Sequence, residues 1–197
     1  PVPRAPGDSI LQKPREAIYS SPSKGRITHM MHRAYNLMLK HAVLMGPEHD
    51  WYTIHTAVLA RDLDYHSNDM AHLEASLDRM QGTLLKWEVR DPDSPLIVKT
   101  SVQLIGKIQF IAEKSPSGAC IQRLIRYRFD DDIKARLFNP KRFASLDLSI
   151  MNRFSSRYAS VLFEIFMDTL TNDQPRDDGW TYTDTLPWEE WRDILVG

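Results

Sequence analysis

Residues 152–166 read NRFSSRYASVLFEIF, so that Arg153 and Arg157 flank the serine pair Ser155 and Ser156 at the head of an apolar run. A serine there caps free backbone N–H groups, and Tyr158, Leu162, Ile165 and Phe166 then recur at helical spacing. The positive end of such a helix favours an anion. The two arginines therefore either meet a phosphate or balance nearby acids, with Asp130, Asp131 and Asp132 as the alternative partners.

Other residue sets with chemical potential are sparser. His29 and His32 have the helical spacing of one metal face, but no third ligand is close in sequence. The Asp130–Asp132 run could hold Mg²⁺ for phosphoryl transfer, yet adjacent acids at a helix start are the ordinary capping pattern. A DNA-nicking tyrosine would need a His-x-His metal site beside it, and no His-x-His occurs. No motif supports Ser-His-Asp chemistry. The expectation is a chain that is not an enzyme, with no metal and no cofactor.

Composition fits binding. The chain has 197 residues, 42% hydrophobic and 26% charged, enough for one good core or two small ones. A single cysteine, Cys120, excludes an internal disulfide and any cysteine-based zinc site, and suits a reducing cytosol. The longest apolar stretches, such as LIGKIQFIA at 104–112, are short and interrupted by Lys107, so no membrane span is expected. The formal net charge of −1 hides an uneven distribution. Residues 1–40 carry seven Lys or Arg against two acids, and 121–160 carry nine against four. The tail from 171 to 197 reverses sign, with two arginines against seven acids. Two basic blocks and an acidic end fit a polyanion partner, or ordinary solvated faces.

The elements that would position these residues follow from periodicity and punctuation. The proline-rich opening, residues 1–25, reads as an extended arm, and the absence of an initiator methionine suggests a processed form or a fragment. Apolar residues from Ile27 to Leu44 predict an amphipathic helix ended by Gly46 and Pro47, its methionines filling core. WYTIH at 51–55 predicts a short strand. Thr56 can cap a helix running AVLARDLDY, and Ser67 or Asn68 can cap the next, DMAHLEASLDRMQGTLLKW. Short helix, tight turn and longer helix make a helix-turn-helix.

LLKWEV, LIVKTSVQLIGKIQFIA and CIQRLIRYRF then read as strands divided by the turn signals DPDSP and KSPSGA. A hairpin after a helix-turn-helix predicts a winged helix of α+β class. The long middle strand is either central to the core or free to pair with its copy in a second subunit. DDDIKARLFNP restarts helix, the Ser155 stretch opens the last long one, residues 171–185 read as a linker, and LPWEEWRDILVG begins another helix from 186. TAVLARDL and PWEEWRDI share an Arg-Asp at the same offset, a faint repeat of one unit.

Five pieces in order carry a family resemblance: KPRE at 13–16, LARDLDYHSNDMAHLEASLDRMQGTLLKWEV at 59–89, IRYRFDDDIKARLFNP at 125–140, RFSSRYASVLFEI at 153–165, and LPWEEWRDILVG. With them the chain resembles the iteron-binding plasmid replication initiators, built of two tandem winged-helix domains. The resemblance implies that 26–170 is the first winged-helix domain, with backbone contact and dimerisation roles, and that 186–197 begins a truncated second one. It also implies double-stranded origin DNA as partner, a homodimer, a host replication initiator and replicative helicase, and a bacterial cytoplasmic setting associated with nucleoid or plasmid. The rival expectations are a winged-helix transcriptional repressor and a winged-helix protein-interaction module.

A docked second helix would present Ser67, Asn68 and His72, then Arg79 and Lys86, to base edges or phosphate. The same helix carries Asp69, Glu74 and Asp78, which would repel phosphate if they faced it. Lys99 and Lys107 are the expected wing contacts, though a lysine on a β-edge also deters aggregation. Arg153, Ser155, Ser156 and Arg157 would meet the DNA backbone from the positive end of their helix.

Overall fold

The computed structural model describes residues 9–65, 69–90, 97–118 and 120–196. The opening segment is built into the body. Strand β1 (Ile10–Pro14) pairs antiparallel with β8 (Phe143–Asp147), α1 (Arg15–Ile18) follows, and β2 (Ser21–Lys24) pairs with β4 (Leu84–Arg90). Leu11 and Lys13 are buried, so from residue 10 onward the expected extended arm is an integral part of the core.

Helix α2 (His29–Met45) starts where Thr28 accepts the Met31 N–H and stops at Gly46, whose φ of 101° lies in the left-handed region. Its inner face buries Met31, Ala34, Tyr35, Met38, Leu39 and Ala42. Then come β3 (Tyr52–His55), α3 (Thr56–Asp62) and α4 (Met70–Gln81). Thr56 is buried and is the first residue of α3, not its cap. Helix α4 is capped by Asp69, whose carboxylate accepts the His72 N–H; Ser67 and Asn68, expected to do this, lie outside the described residues.

The long apolar run divides. Residues 97–114 form two strands, β5 (Ile97–Gln103) and β6 (Lys107–Lys114), which belong to different sheets. Leu104 and Ile105 between them are fully buried. Gly106 passes so close to another segment that a Cβ would lie 3.1 Å from the Asp130 N and 3.2 Å from the Phe129 carbonyl carbon. A side chain at this crossing would press on that backbone.

Strand β6 pairs with β7 (Cys120–Arg128), which also pairs with β3, giving the order β3-β7-β6. Helix α2, strand β3, helices α3 and α4, and a hairpin whose return strand docks on β3 make a winged helix. The β4–β5 hairpin is an insertion between α4 and the wing, forming a second sheet of order β2-β4-β5. An aromatic cluster locks the sheet to α2. Tyr127 donates to the Met38 carbonyl at 2.8 Å, and its ring lies 5.6 Å from that of Tyr52 and 5.5 Å from that of Phe129.

Helix α5 (Asp131–Phe138) starts on Asp130, which caps the Asp132 N–H, and bears acids in its first turn. Strand β8 and the one-turn α6 (Leu148–Met151) come next. Neither was expected from the sequence, because the five residues of FASLD and the four of α6 are too short to show a clear period. Helix α7 (Arg157–Asn172) is capped by Ser156, whose hydroxyl accepts the Ala159 N–H. Residues 173–187 hold neither helix nor strand, and α8 (Trp188–Val196) packs on α7 and β2 with Ile194 buried.

One polar node ties these layers together. The Glu164 carboxylate on α7 accepts Lys13 Nζ from β1 at 2.8 and 3.0 Å, and Asn36 Nδ2 from α2 at 2.8 Å. His32 Nε2 stands 3.1 Å away. Burial lowers the pKa values of both His32 and Lys13, against the pull of the Glu164 carboxylate.

Candidate nucleic-acid interface

The helix-turn-helix is assembled from backbone geometry first. Helix α3 ends in a residue with positive φ, Asp64 at 55°, and two carbonyls of its last turn are taken by local amides. The Tyr65 N–H reaches the Ala60 carbonyl at 2.9 Å and the Asp64 N–H that of Arg61 at 3.0 Å, a Schellman arrangement. The Tyr65 hydroxyl then donates to the Asp69 carbonyl at 2.9 Å, joining the end of α3 to the cap of α4.

Helix α4 buries Leu73, Ser76, Leu77 and Met80, which leaves His72 and Arg79 exposed on its outer side. The acids of this helix are disposed unequally. Asp69 is engaged as the cap, and Glu74 lies 3.5 Å from Arg123 of β7. Asp78 is exposed and shares a cleft of about 680 Å³ with Arg79, Arg26 and Thr28, between the C-terminal end of α4 and the start of α2. Arg26 was not among the expected contacts. Only the spatial approach of the two helices brings it beside Arg79.

The remaining basic candidates scatter over separate surfaces. Lys86 is exposed on β4, opposite Ser21 of β2 and Ser101 of β5, and Lys99 is exposed on β5, opposite Glu88. Both sit on the inserted sheet, so Lys99 is not on the wing hairpin. Lys107 opens β6 beside Arg128, at the end of the wing away from its turn at 115–118. Its ammonium lies 5.9 Å from the Trp51 ring centroid, and the Arg126 guanidinium lies 4.6 Å from the same centroid. Trp51 and Arg126 form a cationic-aromatic surface that alternation alone did not mark as a site.

The four residues around the head of α7 separate. Arg153 and Ser155 are exposed, and Ser156 serves as the cap. Arg157 points inward, with 8% of its surface exposed, and donates to the carbonyls of Leu195 at 2.6 Å and Ile194 at 3.1 Å. The expectation that Arg157 meets a DNA phosphate is therefore corrected: its charge is spent on the last carbonyls of α8, the negative end of that helix. Nor does the acid run at 130–132 pair with it. Asp130 caps α5, and Asp131 lies 3.7 Å from Arg128.

Residues 13–167 match the family described as initiator replication protein, WH1. The chain belongs to that family. The matched span of this WH1 chain runs from the Lys13 strand through most of α7, enclosing the helix-turn-helix, both hairpins and the Glu164 node. Among solved structures, the chain is similar to one described as the selenomethionine derivatives of domain 2 and domain 3 of RctB. The TM-score is 0.48 and the identity 11%, over 89% of this chain and 64% of that chain. No curated protein matches the chain. Among the described residues of the WH1 chain, no group of three or more His, Cys, Asp or Glu could hold a metal ion, and no helix is long and apolar enough to cross a membrane.

Proposed function

We propose that this WH1 chain is the first DNA-binding and dimerisation domain of a plasmid replication initiator. It binds directly repeated origin DNA as a monomer and represses its own synthesis as a dimer. It works without enzymatic chemistry, in the bacterial cytoplasm, with a host replication initiator and a replicative helicase as further partners. The observation that carries the reading is the family match over a winged helix whose α4 is capped, turned outward and partly relieved of its acids by Arg123. The DNA-facing residues on this reading are His72 and Arg79 of α4, with Lys107, Arg126, Arg153 and Ser155 as phosphate contacts and Lys86 and Lys99 on the inserted sheet.

A second reading, a protein-interaction module without specific DNA binding, is favoured by the outer side of α7. Tyr158, Phe166 and Leu170 are 49%, 54% and 66% exposed there. Titrating duplexes with and without direct repeats across a salt series separates the two readings. A DNA-binding domain loses affinity with a log–log slope of about −0.9 per neutralised phosphate, and prefers the repeats. A flat salt response with both duplexes would leave the interaction module standing.

A further inference from the structure

The Schellman arrangement at the end of α3 uses the carbonyls of Ala60 and Arg61 and leaves those of Asp62 and Leu63 to donors from elsewhere. Leu63 is fully buried, so its carbonyl would be costly to leave unpaired. Both carbonyls are met from distant parts of the chain. The Arg33 Nη2 of α2 donates to the Leu63 carbonyl, and the Asn152 Nδ2 at the end of α6 donates to the Asp62 carbonyl at 2.9 Å. Arg33 Nε also donates to Asn152 Oδ1 at 3.2 Å. The two side chains and the two carbonyls close a loop of three hydrogen bonds, with a cation at the negative end of α3.

A side-chain contact leads from there to α4. Tyr65 follows the left-handed Asp64, and its hydroxyl holds the Asp69 carbonyl, while the Asp69 carboxylate caps α4 at His72. The Tyr65–Asp69 hydrogen bond therefore links the held end of α3 to the cap of α4. We propose that Arg33 and Asn152 are positioning residues that hold α4 in its DNA-reading pose without touching DNA. The proposal rests on the DNA-binding reading above and deepens it. It assigns the aim of α4 to a clamp on the preceding helix, built from residues 119 positions apart in sequence.

The test uses the whole chain with Arg33→Ala, Arg33→Lys, Asn152→Ala and the double alanine variant, titrated against duplex DNA across salt. Circular dichroism at the assay temperature confirms that each is folded. Each alanine variant is expected to bind about tenfold more weakly, comparable with one lost base contact, with the salt slope unchanged. Arg33→Lys is expected to recover part of the loss, and the double variant to be no weaker than the worse single one. A slope shallower by about one unit would make Arg33 a phosphate contact and overturn the proposal, as would unchanged affinity. Amide exchange reads the same clamp without DNA: Tyr65 and the first turn of α4 should exchange faster in the alanine variants, with β7 unaffected. Unchanged exchange there would also overturn it. If the unaltered chain bound no duplex, the functional reading would fail, and exchange alone would decide the clamp.

Discussion

Lys13 Nζ stands 2.8 Å from Glu164 Oε2 with both side chains buried, joining the first strand to a helix 151 residues later. Two hydrogen bonds to Lys13, one to Asn36 and the His32 contact leave the carboxylate well satisfied. Removing one partner strands the other charge in the core. Lys13→Met is expected to cost about 3–5 kcal/mol in urea unfolding, and Lys13→Met combined with Glu164→Leu to recover much of it. A single variant as stable as the parent chain would mean that the node is not desolvated.

Acid should destabilise the fold through the same node. Burial alone would raise the Glu164 pKa, but His32 and Lys13 outweigh it and hold the group at about 2, below its ordinary 4.5. A carboxylate depressed in the folded state contributes stability above its unfolded pKa and loses it as pH falls through the folded one. Burial also depresses His32 from 6.5, against the pull of Glu164, so the unfolded chain binds that proton first as pH falls. Melting temperature is expected to fall below about pH 6.5 and more steeply from about pH 4.5 toward pH 2. Glu164→Gln should flatten the lower part of that profile.

Arg157 is expected to matter for α8 and not for charge at the surface. Its guanidinium holds the last two carbonyls before Val196, and Ile194 fills the same contact. Arg157→Ala should raise amide exchange across 188–196, equivalent to about 1–3 kcal/mol of local stability, while β7 keeps its protection. Arg15, which contacts both Asp168 and Asp184, would still tie down the segment leading to α8. Retained protection in α8 would refute the anchoring role.

Two glycines should respond oppositely to alanine. At Gly106 a Cβ meets the backbone of Phe129 and Asp130, which cannot swing away, so Gly106→Ala is expected to cost about 1–3 kcal/mol. At Gly82 the nearest atom to a Cβ is the Arg79 carbonyl oxygen at 3.7 Å, and φ is −83°. Gly82→Ala should leave stability unchanged or raise it by about 0.4–1 kcal/mol. Thermal melts of both variants check the contrast.

Tertiary proximity explains where the sequence stops being informative. Ser155 and Ser156 both suit a helix cap, and only Ser156 serves, because the helix begins one residue after it. The run from 97 to 114 has the composition of one long strand, yet Gly106 turns it between two sheets at a crossing set by residues 129 and 130. Asp64 takes a left-handed conformation without the glycine that usually marks a helix end, so the cap that orients α4 carries no local signature.

Local pattern by itself determined the winged-helix class, the helix-turn-helix with its outward His72 and Arg79, and the stop at Gly46, because caps and periodicity act over a few residues. Only the tertiary structure decided that Arg157 turns inward while Arg153 stays in solvent, that Lys13 is buried against Glu164, and that Arg33 and Asn152 meet the end of α3. Those outcomes depend on which buried carbonyl or carboxylate lacks a partner after the chain has packed. The demand for a hydrogen bond in the core arises from segments more than a hundred residues apart as readily as from neighbours.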